Sequence, residues 1–447
     1  MENKKLQKPR NFGREVTIKG LIIIGMIILL LVPMLILQSK ISEREDRKDE
    51  AVYAISNKWS RTQTVDGPVL GIPYTYTVTD KKGDPERVQK TLCVTPDKLD
   101  MKVSLEPEER KYGMFKAILY KSVVDITGEF SPVDLEKAIT GTPDPAKAWI
   151  SIELSDLRGL SDEVILMFDG KPVGTDNSGV HGSAIVFRPA VEDFGRTCKF
   201  SCRINLKGSE SINFIPVGRT TSVEVAGAWP DPSFIGNFTP EYTLAEGGFT
   251  ARWNILNFNR SIPDMWIDED SSYSHYDTTF GVNLVTGADE YQQNERAVKY
   301  ALLFVVLTFV VFFFVEVLTY KRIHPIQYLL VAAALMIFYT LLLSISEIVG
   351  FGWAYLISAA ATVGLITLYT STIFRDRKET ALLSGILAGL YAYLYFILQL
   401  ENYTLLVGSV GLFVILGVIM YVSRKVSWYR QPEDEEMKKL GNEEMKR

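Results

Sequence analysis

A chain of 447 residues with 47% apolar side chains and a net charge of −5 has room for about two or three domains. The mild acidity, with no recurring basic face, argues against a nucleic-acid partner. Three cysteines, Cys93, Cys198 and Cys202, are too few for a disulfide framework. The average composition hides a segregation: residues 1–17 are basic, 18–38 apolar, 39–297 mixed and turn-rich, 298–422 largely apolar, and 423–447 charged.

The basic N-terminus precedes the apolar run Ile18 to Leu37, the charge layout of a signal sequence. The run is followed by Gln-Ser-Lys-Ile-Ser-Glu-Arg with no small-x-small cleavage site, so residues 18–38 are expected to be an uncleaved anchor, basic end in the cytoplasm, kinked near Pro33. In residues 39–64, Val52, Ile55 and Trp59 recur at helical spacing among dense charges, which predicts a stalk helix.

From Val65 the period changes from 3.6 to 2. Met101, Val103 and Leu105 alternate with Lys102, Ser104 and Glu106, and Phe249, Ala251, Trp253 and Ile255 alternate with Thr250, Arg252 and Asn254. Strands with one wet face predict a mainly-β domain over 65–297, of antiparallel sandwich or barrel-like type. In CKFSCRINL the same alternation places Cys198 and Cys202 on one face about 13 Å apart, beyond disulfide reach.

Val298 to Leu318 is long enough for a hydrocarbon core of about 30 Å, and Ile326–Ile345, Trp353–Phe374, Thr380–Leu400 and Leu405–Val422 are each near that length. With the anchor this makes about six spans, five of them in a bundle over 298–422. Lys321 and Arg322 lie in the loop after the first of the five, and Arg375, Arg377 and Lys378 in the third loop; Arg424, Lys425 and Arg430 follow the last span, while SEIVGFG and ENYT carry no Lys or Arg. The alternation predicts both termini in the cytoplasm and residues 39–297 in the periplasm. A β domain tied to the membrane at both ends would be held near the outer leaflet, a placement suited to contacting envelope components.

Glu316 is an acidic side chain inside a span, so it is a functional candidate; about 7 Å from the boundary, it could equally reach water or a cation in a structural role. Glu347 lies at the opposite edge, so the two cannot form a midplane pair. Gly385 and Gly389 in GILAG fit small-xxx-small packing, expected within the subunit, and Tyr391, Tyr393 and Tyr395 read as helix packing or as a ligand cage.

His181, His275 and His324 are scattered, with no HExxH, GxSxG or metal spacing. Asp268 and Asp270 in WIDEDSS lack the glycine and distal Glu of a calcium loop, and Asp176 to Gly179 reads as a turn. No enzyme, metal or cofactor is predicted. In AWPDPSFIGNF, Pro230 and Pro232 exclude a sheet centre and predict a rigid extended loop. Trp229 and Phe234 then either plug the end of the domain or form an apolar docking patch for a partner or lipid.

Taken together, GPVLGIPY, WPDPSFIGNFTP, GGFTARWNI, the span RAVKYALLFVVLTFVVFFFVEVL and KRIHPIQYLLVAAALMIFYTLLLSISE resemble the CreD family of bacterial inner-membrane proteins over nearly the whole chain. The resemblance implies a role in envelope integrity and colicin tolerance, in a family often placed under a two-component envelope or nutrient response, and brings no catalytic residues. Glu316, His324, Pro325 and the segment Trp229 to Phe234 lie in its recognisable stretches. The expected partners are membrane lipids and envelope components or other envelope proteins. The rival reading is a transporter or lipid-handling protein using the five-helix bundle.

Overall fold

The structure, a computed structural model, describes residues 12–79, 84–113, 115–176, 182–191, 193–268, 278–284, 290–319, 323–374, 376–400 and 404–424. Contacts divide the chain into two units, Lys48–Gly287 on the one hand and Met1–Arg47 with Ala288–Arg447 on the other.

The first element, α1 (Phe12–Trp59), is a single helix of 48 residues, about 72 Å at 1.5 Å per residue. Anchor and stalk are therefore one element, which continues through Pro33, and strand begins at Gln63. Ion pairs from Glu43 to Lys40 (2.5 Å) and to Arg47 (2.6 Å), three and four residues away, support the charged stretch that follows the apolar run.

In the unit Lys48–Gly287 the strands are β1 (Gln63–Thr79), β2 (Pro85–Val94), β3 (Lys98–Tyr112), β4 (Phe115–Phe130), β5 (Thr142–Pro143), β6 (Trp149–Leu154), β7 (Leu166–Phe168), β8 (Lys171–Val173) and β9 (Ala184–Phe187). They continue as β10 (Cys198–Ser209), β11 (Ser211–Phe214), β12 (Thr220–Gly227), β13 (Ser233–Gly236), β14 (Glu241–Ala245), β15 (Gly248–Leu256), β16 (Met265–Ile267) and β17 (Phe280–Asn283), with a short α-helix, α2 (Leu135–Ala138), and short 3-10 turns among them. Among the described residues one sheet runs β13-β17-β11-β1-β2-β16, with β5 and β6 paired to β1 and β9 to β6. The other runs β14-β15-β12-β3-β4-β10-β7-β8. Residues of both sheets share one core, with Leu70, Phe214 and Phe280 from the first and Val124, Ile204 and Trp253 from the second.

The expectation of an antiparallel fold is corrected at two places. β1 runs parallel to β11, Gln63 beside Ile212, and β12 runs parallel to β3, Thr220 beside Lys98, so both sheets are mixed. Alternation fixes which face is buried but carries nothing about direction, and both pairs join segments distant in sequence, where a crossover can deliver either sense. β10 follows the predicted alternation: Cys198, Phe200, Cys202, Ile204 and Leu206 are buried, and all three cysteines are free and buried.

The other unit continues with α3 (Glu290–Lys299), α4 (Ala301–Thr319), α5 (Pro325–Val349), α6 (Phe351–Phe374), α7 (Arg377–Gln399) and α8 (Thr404–Ser423). Among the described residues five helices are long and apolar enough to cross a membrane, or six if α3 and α4, bent by 44° at their junction, count as one span. Val298 and Lys299, expected at the start of the span, belong to the polar α3, and the apolar helix starts at Ala301. The composition explains the break, since Arg296 and Lys299 favour an interface over hydrocarbon.

Candidate functional site

Glu316, near the end of α4, is 6% exposed. Its Oε1 accepts the backbone N–H of Ile323 (3.2 Å) and its Oε2 the hydroxyl of Tyr328 (3.0 Å), whose ring is packed by Phe309 and Phe312. The carboxylate thereby ties the end of α4 to the start of α5 across the connection. A buried carboxylate with donors on both oxygens is far less costly than a bare one.

His324 takes no part in that tie. It is the N-cap of α5: its Nδ1 accepts from Ile326 N–H (3.3 Å), Gln327 Oε1 accepts from His324 N–H (2.8 Å), and Pro325 occupies the first helical position. Glu347 lies at the far end of α5, where its Oε1 accepts from Tyr291 Oη (3.1 Å) with Arg44 Nε at 3.8 Å. Next to it Asn294, 1% exposed, donates to Ser346 Oγ (2.8 Å) and to Glu290 O (2.8 Å), joining α3 to α5. The three polar candidates thus occupy separate settings.

The three tyrosines of α7 diverge. Tyr391 is buried against Phe338 (4.8 Å between rings), and its carbonyl accepts from Tyr355 Oη (2.7 Å). Tyr393 Oη donates to Val407 O (3.0 Å) and lies where a side chain at Gly411 would be, so Gly411 permits the close approach of α7 and α8. Tyr395 packs on Tyr355 with the rings tilted and their centroids 5.1 Å apart. The expectation that Gly385 and Gly389 pack within the subunit is corrected: both are exposed, with nothing within 4 Å of an added Cβ. The buried face of α7 is carried by Leu383, Leu387, Tyr391 and Leu394, and positions 385 and 389 fall off that face.

In the β domain the segment Trp229 to Phe234 leads into β13, an end strand of its sheet. Phe234 packs on Tyr242 (4.8 Å), Phe249 (6.2 Å) and Trp253 (5.9 Å), and Trp229 also lies against the core, its buried Nε1 having no hydrogen-bond partner among the described residues. Pro230 is exposed and Pro232 half-buried. Trp253 Nε1 donates to Phe238 O (2.9 Å), which fixes the largest side chain of this cluster. The cysteines are chemically quiet, because burial pushes the Cys93 and Cys202 thiols up to about 12. Among the described residues no group of three or more His, Cys, Asp or Glu side chains converges as for a metal ion; His181, His275 and Asp270 lie outside the described residues.

Two features at the end of α1 escape sequence reasoning. The first is a polar clasp centred on Asp156, which accepts from Arg158 Nε (2.9 Å), Ser60 Oγ (3.2 Å) and Arg61 N–H (3.2 Å), while Arg158 also donates to Asn57 O (2.9 Å). Its guanidinium and backbone donors hold the Asp156 carboxyl down at about 2. Gln63 Nε2 completes the clasp, donating to Ser60 Oγ, Asp156 O and Lys207 O. The second is a hollow of about 280 Å³ beside Trp59. The visible signal was Lys58-Trp59 followed far downstream by Arg110-Lys111, residues that only the fold brings together.

The profile of the family described as "Inner membrane protein CreD" matches residues 15–429. The chain belongs to the CreD family. A curated relative, the inner membrane protein CreD of Escherichia coli strain K12, is 29% identical over 418 residues, covering 91% of this chain and 92% of that protein. Family and helices together make this a multi-pass inner-membrane protein with a large mainly-β domain. Solved structures aligned with the chain include an M1 zinc metallopeptidase of Deinococcus radiodurans, at 9% identity and a TM-score of 0.22 over 42% of each chain, and a point mutant of that peptidase at 10% identity and 0.21, also over 42% of each. The chain spans somewhat under half the length of those peptidases, and scores so low carry no argument about fold or chemistry.

Proposed function

We propose that this CreD-family protein crosses the inner membrane six times with both termini in the cytoplasm. Its β domain stands in the periplasm, where it supports envelope integrity and stress response by binding or sensing envelope components, without catalysis. The observation that carries the reading is the alternation of basic and neutral segments between the apolar helices, which supports a β unit, between α1 and α3, facing away from the cytoplasm. The name of the Escherichia coli relative states a location and no reaction, in keeping with a structural or sensory role. Membrane lipids and envelope components or other envelope proteins are the partners this placement offers.

Deleting the gene and scoring growth on detergent and on a membrane-active colicin tests the reading. Altered tolerance, restored by the full chain, is expected; unchanged tolerance to every envelope stress tried would contradict it. The transporter reading gains nothing from the helices, since Thr308 is buried, Thr340 is exposed, and the tyrosines of α7 diverge into packing contacts.

A further inference from the structure

The hollow beside Trp59 is built by two distant pieces of the β unit, the last turns of α1 (Ala54, Ile55, Lys58, Trp59) and the β3–β4 hairpin (Arg110, Lys111, Leu119). Leu119 is 1% exposed and Ile55 half-buried, which gives an apolar floor. The Trp59 indole is held by a hydrogen bond from its Nε1 to Tyr120 O (3.4 Å). Two cations lie over that ring, the Arg110 guanidinium at 4.6 Å from the centroid and the Lys207 ammonium at 5.0 Å. Arg110 pairs with Glu108 (3.3 Å), whereas Lys58 and Lys111 have no ion-pair partner among the described residues. An apolar floor under a rim of cations in excess over carboxylates calls for an anion that carries hydrocarbon.

We propose that this hollow binds the headgroup of an anionic phospholipid, its phosphate between Lys58 and Lys111 and its first carbons on Ile55, Leu119 and the Trp59 indole. Size favours a headgroup over a whole lipid: about 280 Å³ lies just below the range of about 300–1,000 Å³ that encloses drug-sized ligands. The apolar floor argues against free phosphate, which would leave Ile55 and Leu119 uncovered. The proposal rests on the reading of the β domain as a binder of envelope components and names the component.

The test is native mass spectrometry of the full-length protein in mild detergent, titrated with phosphatidylglycerol, with phosphatidylcholine, or with inorganic phosphate as competitor. The variant is K58Q/K111Q. The charge-matched control is K137Q/K147Q, two exposed lysines elsewhere in the domain. We expect phosphatidylglycerol occupancy to fall at least tenfold in K58Q/K111Q and not in the control, phosphatidylcholine occupancy to be equal in all three proteins, and millimolar phosphate not to compete. Matching near-UV circular dichroism and melting of the two double variants establish that the fold is kept. Equal phosphatidylglycerol occupancy in wild type and K58Q/K111Q overturns the site, and full displacement by inorganic phosphate overturns the lipid as its occupant. Either failure leaves the envelope role standing, because that role is read from stress tolerance in cells. Unchanged tolerance with lipid retention intact would instead remove the role and keep the site.

Discussion

The two units differ in what they show to their surroundings. Along β10 of the β domain, Cys198, Phe200, Cys202 and Ile204 point into the core while Lys199 and Arg203 face out. Along α5 hydrocarbon lies on both sides: Leu335, Phe338 and Leu342 are buried together with Tyr328 and Ser346 and their polar partners, and Ile326, Leu329, Leu330 and Ile337 are exposed. Trp353, Leu368 and Phe413 are likewise 66%, 71% and 78% exposed on α6 and α8. A strand that hides hydrocarbon is built for water, and a helix that displays it is built for lipid, where each buried polar group needs a partner inside the protein.

The comparison can be broken at graded cost. The largest effect is expected at Trp253, 1% exposed in the shared core of the two sheets: Trp253→Ala should lower the stability of the β domain by about 3–5 kcal/mol, read as an earlier near-UV transition in urea. In the helical unit Glu316→Ala strands two buried donors, Ile323 N–H and Tyr328 Oη, and should cost about 2–4 kcal/mol, read by thermal unfolding in detergent; Glu316→Gln should recover part of it.

Asp156→Asn should weaken the clasp at the end of α1 by about 1–3 kcal/mol at neutral pH. Because the folded carboxyl titrates at about 2, below its unfolded value of about 3.9, its contribution is present above the unfolded value and is lost as pH falls through about 2. The difference between wild type and variant should therefore shrink over that acid window. A constant difference from pH 6 to pH 2 would sink the assignment. The smallest effect belongs to the exposed pair Arg203–Asp125 (2.6 Å), where Arg203→Ala should change stability by less than about 1 kcal/mol.

The long apolar helices were legible because an apolar run of that length has few alternatives, and the faces of β10 and β15 were legible because period 2 maps directly onto burial. The bend at Tyr300 was not, since an apolar window gives length without direction. The parallel pairings of β1 with β11 and of β12 with β3 were hidden for a similar reason, because alternation is blind to strand sense. Glu316 stood out as a carboxylate in hydrocarbon, but Tyr328, twelve positions later, becomes its partner only when the fold brings the start of α5 to the end of α4. The Trp59 hollow combines a helix end with a hairpin some fifty residues downstream, a juxtaposition no local pattern encodes.

The orientation of the β domain is the central claim, and cysteine labelling in cells addresses it directly. The native thiols are buried, with Cys93 and Cys202 pushed up to about 12, so they give little background. Thr243→Cys on the exposed strand β14 and Lys378→Cys at the start of α7 would each be treated with a maleimide that cannot cross the inner membrane. The account predicts that Thr243→Cys labels in intact spheroplasts and Lys378→Cys only after lysis. Labelling of Lys378→Cys in intact spheroplasts, with Thr243→Cys protected until lysis, would place the β domain in the cytoplasm and contradict it.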